Sequence, residues 1–146
     1  MIYLDNAATT WPKPSSVVNA MAESIEKFGA NPGRSGHEMA LQAGSILLYT
    51  REMLSTLFNV HDPFQFIYTL NCTDSINLAI KGLLKPGQHV ITTMMEHNSV
   101  VRPLMHLKKQ GVEVTFIKCS NTGMMDPNDI KKAIKSNTRL IVTTHA

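Results

Sequence analysis

After Asp62-Pro63 the chain alternates short apolar runs with helical segments, and this alternation restricts the fold more than any other feature. Phe66–Thr69, His89–Thr93, Val112–Ile117 and Leu140–Thr144 read as strands. Helical patterns fall between them at Asp74–Leu84, at Val100–Lys109, and from an Asp126 cap with Pro127 in the first turn to Lys135. Pro86-Gly87 and Gly111 supply the breaks. Such a repeat predicts an α/β fold: a parallel-rich sheet with right-handed crossovers and flanking helices. Parallel strands also place their following loops along one edge, where ligands bind in open sheets of this kind.

The first 62 residues have a different texture. Ile2-Tyr3-Leu4 is a short extended piece, Asp5 to Thr10 is small and polar, and Trp11-Pro12-Lys13-Pro14 marks a loop. A helix is expected over Ser15–Phe28, with Val17, Val18, Met21, Ile25 and Phe28 on one face and Gly29 ending it. After the breaker-rich loop Asn31–Gly36, a longer helix is expected over Glu38–Phe58. Its apolar stripe is Ala43, Ile46, Leu47, Met53, Leu54 and Leu57. The expected division is therefore 1–62, an arm with helices, and 63–146, the beginning of an α/β domain.

Hydrophobic residues make up 43% of the chain and charged residues 17%, which suits a globular chain rather than a disordered one. The net charge of +3 is spread along the sequence, and its densest cluster, Lys131-Lys132 with Lys135, reads as a solvated helix face. Nucleic acid is not an expected partner. The two cysteines, Cys72 and Cys119, form no C-x-x-C pair, so neither a disulfide framework nor a cysteine metal site is expected. A reducing cytoplasm is the expected compartment. No segment approaches the ~20 apolar residues that cross a bilayer, so no membrane partner is expected. The six histidines show no metal-ligand spacing, and no metal is expected. The last segment is an apolar strand with no helix after it to cover the sheet. The chain therefore reads as the N-terminal part of a longer protein.

The turn Asn71-Cys72-Thr73-Asp74 opens a helix, and unpaired N–H groups at a helix start suit a phosphate. Thr73 adds a hydroxyl donor. Asp74 in the same turn would compete with an anion unless its carboxylate turned away, and a plain capped helix start explains the turn equally. Cys72 fits a small neutral filler better than an activated thiol. His97 follows the strand ending at Thr93, where an imidazole can stack on a planar ring or pass protons. An ordinary hydrogen-bonded surface histidine fits as well. Asn6-Ala7-Ala8 is small enough for close backbone approach, and Arg34 could meet a carboxylate bidentately. Plain loops account for both segments too.

Taken in order, five segments are more specific than any one of them. They are Tyr3–Thr10, Asn31-Pro32-Gly33-Arg34-Ser35-Gly36-His37, Thr73–Gly82, Glu96-His97-Asn98-Ser99 and Thr144-His145. The chain resembles the N-terminal part of the class V aminotransferase family, and within it the cysteine desulfurases. The resemblance implies the fold of type I enzymes dependent on pyridoxal 5′-phosphate (PLP), with the large domain incomplete. It implies that Cys72 and Thr73 bind the cofactor phosphate and that His97 stacks on the ring and assists proton transfer. Asn6, Ala7 and Arg34 would contact substrate. The family usually has Thr-Glu where this chain has Thr73-Asp74.

The implied reaction converts L-cysteine to L-alanine, with sulfur passing to an enzyme persulfide and then to an acceptor protein. The implied full-length state is a homodimer. The family's Schiff-base lysine and sulfur-accepting cysteine match nothing in these residues, so the fragment is expected to be inactive alone. Its first strand, Phe66–Thr69, would lack a partner, and the fragment is expected to be poorly soluble or molten. Another class V aminotransferase or lyase reaction, and a non-catalytic module binding a phosphate ligand, stand as alternatives.

Overall fold

The computed structural model describes residues 2–33 and 36–144. The chain divides into two compact units, Met1–Ile67 and Tyr68–Ala146.

The first unit is helical. α1 spans Ser15–Lys27 and buries none of its residues, and α2 spans Glu38–Phe58. α2 starts where His37 Nδ1 accepts the Ala40 N–H at 3.2 Å. It stops at Asn59, whose φ of 52° is the left-handed conformation that asparagine tolerates at a helix end. The chain then makes a short 3-10 turn, Pro63–Gln65, capped by Asp62 Oδ1 on the Phe64 N–H at 2.9 Å. This turn folds back on α2. Arg51 Nε donates to Phe66 O at 3.1 Å, and the Phe58 and Phe66 rings lie 6.0 Å apart. The N-terminal arm is a compact turn, with Ala8 N and Thr9 N both donating to Asp5 O. The predicted α2 stripe is only partly realised. Ala43 is buried and Ile46 and Leu54 are half-buried, but Met53 and Leu57 face solvent.

The second unit is a three-stranded parallel sheet with order β2-β1-β3, where β1 is His89–Thr93, β2 is Glu113–Ile117 and β3 is Thr138–Ile141. Helix α3 (Cys72–Leu83) precedes β1, α4 (Asn98–Lys109) connects β1 to β2, and α5 (Pro127–Ala133) connects β2 to β3. β1 runs in register with β2 from His89↔Glu113 to Thr93↔Ile117. Its pairing with β3 carries an irregularity between His89 and Val90. As the central strand, β1 is buried at all five positions. The core gathers Ile80 and Leu84 of the α3 segment, Val90, and Val100, Leu104, Leu107 and Val112. These residues recur at helical spacing on α3 and α4, which is why both helices lie on the Val90 face.

The strand starts are stitched together by polar groups. Gly87, at φ +82°, donates its N–H to Gly111 O at 2.8 Å, and Asn137 Nδ2 donates to Gly87 O at 2.9 Å. His89 is fully buried here. Its Nδ1 lies 2.7 Å from Thr138 Oγ1 and its Nε2 lies 2.8 Å from Thr115 Oγ1. Burial, reinforced by the Lys135 charge and opposed by Glu113, pushes the His89 pKa below its ordinary value.

Two expectations about the strands change. Phe66–Thr69 lies outside the sheet, because the three strands that pair all come later in the chain. β3 begins at Thr138 and ends at Ile141, shifted toward the N-terminus of the apolar run. The Thr138 register against His89, with its hydroxyl on the imidazole, accounts for the early start.

Candidate functional site

Two helix N-termini meet at the edge of the sheet that follows β1. The first belongs to α3. Thr69 Oγ1 donates to Asn71 O at 3.0 Å, and Asn71 Oδ1 accepts the Asp74 N–H at 2.9 Å. Asn71, not Asp74, is therefore the cap, and α3 starts two residues earlier than its apolar periodicity indicated. This arrangement satisfies the third N–H of the helix. The N–H groups of Cys72 and Thr73 and the Thr73 hydroxyl have no hydrogen-bond partner among the described residues. These are three donors at the positive end of a helix dipole.

The second terminus belongs to α4, which His97 caps. Its Nδ1 accepts the Ser99 N–H at 3.1 Å, with Ser99 Oγ 2.9 Å away. A ring nitrogen that accepts a backbone N–H carries its lone pair there. The neutral ring therefore holds its hydrogen on Nε2. The exposed ring is thus fixed at one end and open on its face and at Nε2.

A proline sets how α3 and α4 sit together. Pro103 lies inside α4 and has no N–H to give to Ser99 O. Asn77 of α3 supplies the missing donor. Its Nδ2 donates to Ser99 O at 3.4 Å and to Thr73 O at 2.9 Å. One amide thereby joins the first turns of both helices.

Between them runs a groove of about 530 Å³ lined by Thr73, Asn77, Lys81, His97, Arg102 and His106, with Asn98, Ser99 and Pro103. The size suits a cofactor or small ligand. No carboxylate lines it, while Lys81 and Arg102 do, so its potential favours an anion. Asp74 lines the neighbouring groove, with Thr69 and Leu78. Its carboxylate therefore does not line the Thr73–His97 groove.

Of the residues singled out from sequence, Thr73 and His97 come together in this groove. Cys72 adds its N–H at the helix start, with an exposed side chain that is not part of the lining. Asn6 and Ala7 belong to the first unit, where Asn6 Oδ1 accepts the Trp11 N–H at 3.0 Å and closes the arm's turn. Arg34 lies outside the described residues. Among the described residues no group of three metal-ligating side chains occurs, and no helix is long and apolar enough to cross a membrane.

Sequence reasoning included Asn77 and Glu96 in its motifs but gave neither a role. The Glu96 carboxylate is half-buried and accepts from Thr93 Oγ1 at 2.7 Å, Thr144 N at 3.0 Å and Thr144 Oγ1 at 2.7 Å. Thr93, three residues before it, was the only local signal, because Thr144 lies 48 residues away.

Comparison with known proteins bears on the family and the fold. The family model for aminotransferase class-V matches residues 2–146. A probable cysteine desulfurase of Methanothermobacter thermautotrophicus is 34% identical over 145 residues, covering 99% of this chain and 36% of that protein. The apo structure of a cysteine desulfurase from Thermococcus onnurineus NA1 superposes with a TM-score of 0.88 at 31% identity, covering 99% of this chain and 36% of that one. The structure of SspA in complex with cysteine gives a TM-score of 0.86 at 28% identity, covering 100% of this chain and 42% of that one. The chain thus spans 36% to 42% of the length of these proteins, and its small parallel sheet with flanking helices is a portion of the type I fold. With one family model matched along nearly its whole length and the same fold in its relatives, the chain belongs to the class-V aminotransferase family.

Proposed function

We propose that the parent protein is a PLP-dependent cysteine desulfurase, converting L-cysteine to L-alanine with transfer of sulfur, and that this chain supplies one wall of its cofactor site. The observation that carries this reading is the pairing of Thr73 and His97 in one groove free of carboxylates. The residues fit the group. The free N–H groups of Cys72 and Thr73 with the Thr73 hydroxyl suit its phosphate, and the open, capped His97 ring suits its planar ring. Bound PLP would supply an electron sink for bonds broken at the amino acid.

In this reading the chain's own residues bind and orient. Thr73 and the α3 N–H groups hold the phosphate, while Lys81 and Arg102 bias the groove toward anions. His97, held through Nδ1 by Ser99, offers Nε2 for moving a proton on the substrate side. Asn6, Ala7 and Arg34 are proposed substrate contacts. The relatives' names and the neighbour solved with cysteine support L-cysteine as the substrate. A soluble homodimer in the cytoplasm, passing sulfur to an acceptor protein, completes the proposal. The two free cysteines fit a reducing compartment. Covalent attachment of PLP would use a lysine outside this chain, and the chain alone would then be inactive.

The test is PLP titration followed by visible absorbance, and then alanine formation from L-cysteine by the full-length protein. Thr73→Val should weaken PLP binding about tenfold, the scale of one hydrogen bond to a charged group. His97→Ala should cut turnover at least a hundredfold, as expected for a residue that moves protons, while loss of the α4 cap costs about 1 kcal/mol of stability. Turnover unchanged in His97→Ala removes His97 from the mechanism. Another class V reaction on an amino acid is the second reading, favoured by the match to the aminotransferase class-V family as a whole. It predicts a product other than alanine.

A further inference from the structure

We infer that Glu96 is a positioning residue that clamps the exits of β1 and β3 together and thereby sets the placement of His97. The inference deepens the reading above and rests on it for its functional consequence, although the clamp itself stands on geometry alone. β1 ends at Thr93 and β3 at Ile141, and the two strands are neighbours in the sheet. Beyond Thr93 the β1 exit turns through Met94 and Met95, and Met95 N donates back to Thr93 Oγ1 at 3.2 Å. That hydroxyl in turn donates to Glu96 Oε1 at 2.7 Å. The same Oε1 accepts the Thr144 N–H at 3.0 Å, and Oε2 accepts the Thr144 hydroxyl at 2.7 Å.

The ladder between β1 and β3 is continued by Val142 N on Ile91 O at 2.9 Å and then ends. From there to Thr144 the clamp replaces the ladder. One carboxylate accepts all three bonds, and none of the three donors is itself charged. Hydrogen bonds to an ionised acceptor are the stronger class. The bond from Thr93 is part-buried, whereas both bonds from Thr144 are open to solvent.

The consequence follows from connectivity. His97 is the next residue in the chain and caps α4 through Nδ1. Its ring is therefore held on one side by the helix and on the other by a backbone whose preceding side chain is bonded to Thr144, in the segment that follows β3. Two independent anchors at adjacent residues leave the ring little freedom, and a loose backbone at Glu96 would leave only one. Glu96 does not line the groove, so its action is through His97 and the β3 exit rather than by contact with a ligand.

The test uses the natural chain at full length with Glu96→Ala and Glu96→Gln. Three readouts are needed: hydrogen exchange at the Thr144 amide, the NMR signal of the His97 ring, and PLP affinity. In Glu96→Ala, Thr144 exchange should rise by about tenfold to a hundredfold, the range set by loss of hydrogen bonds to a charged group. The amides of Val90 and Ile91 should keep their wild-type rates, and the His97 ring signal should shift. Glu96→Gln keeps an oxygen for Thr93 and the Thr144 N–H, and should restore most of the Thr144 protection and the His97 signal. PLP affinity should fall about tenfold in the alanine variant and recover in the glutamine variant.

Thr144 exchange unchanged in Glu96→Ala overturns the clamp. Faster Thr144 exchange with an unmoved His97 signal overturns the positioning role. So does equal acceleration through β1, which would mark a general loss of stability. If the wild-type protein takes up no PLP, the functional reading fails, while exchange and the His97 signal still decide the clamp.

Discussion

The two units of this chain bury their apolar residues to very different extents. In the second, Leu104 and Val90 are completely excluded from solvent. In the first, α1 buries nothing, and Met21 and Ile25 are 63% and 77% exposed. Both helices carry an apolar face at the same spacing, so the difference is not in the pattern. It lies in what is available to cover the face. α4 has α3 and β2 against it, whereas among the described residues of its own unit no comparable core forms on α1. Periodicity tells which side of a helix is meant to be covered, and only the partner decides whether it is.

The contrast can be broken most forcefully at Leu104. Leu104→Ala should destabilise the second unit by about 2–5 kcal/mol, read from urea unfolding monitored by circular dichroism. Ile25→Ala should change the same measurement by less than about 0.5 kcal/mol. Equal effects would mean that α1 is covered after all.

The next effect is a pH dependence confined to the second unit. His89 holds its proton less tightly folded than unfolded, so below its ordinary pKa of 6.5 the unfolded chain binds more protons. Stability should therefore be complete above about pH 6.5. It should fall as the pH drops toward the lowered folded pKa, with a slope no steeper than about 1.4 kcal/mol per pH unit. His89→Gln should flatten this slope in urea titrations between pH 7.5 and 5, whereas His61→Gln in the first unit should leave it in place. Smaller still, Asn77→Ala should cost about 1 kcal/mol through loss of its bonds to Thr73 and Ser99. It should also raise exchange at the first turn of α4. Unfolding that is unchanged would show that Pro103 leaves Ser99 O adequately solvated without the bridge.

Much of the fold was legible where local chemistry and packing agree. β1 and α2 match their expected bounds, since strongly periodic segments between clear breakers leave little choice. The starts of α3 and α4 were misplaced by two residues each, because their caps, Asn71 and His97, precede the apolar pattern. Of the candidate site, Thr73 and His97 could be read as residues that follow apolar, strand-like runs. Their convergence through Asn77 could not, because it depends on a carbonyl that Pro103 leaves without a helical donor. The Glu96 partnership was equally hidden, since Thr144 is brought to it only by the parallel ladder. Phe66–Thr69 has strand chemistry, but a strand also needs a neighbour, and none of its own sheet lies in residues that pair here.

His89 also acts as a test of alignment. Its two ring nitrogens reach threonines on the strands to either side, Thr115 on β2 and Thr138 on β3. A slip of either strand by a single residue would turn its threonine to the opposite face of the sheet. The slipped sheet would then keep a sealed imidazole nitrogen with nothing to bind, at a penalty of about 1–3 kcal/mol. One side chain in the middle strand thus inspects both seams at once, adding a polar check to the register that the apolar residues set.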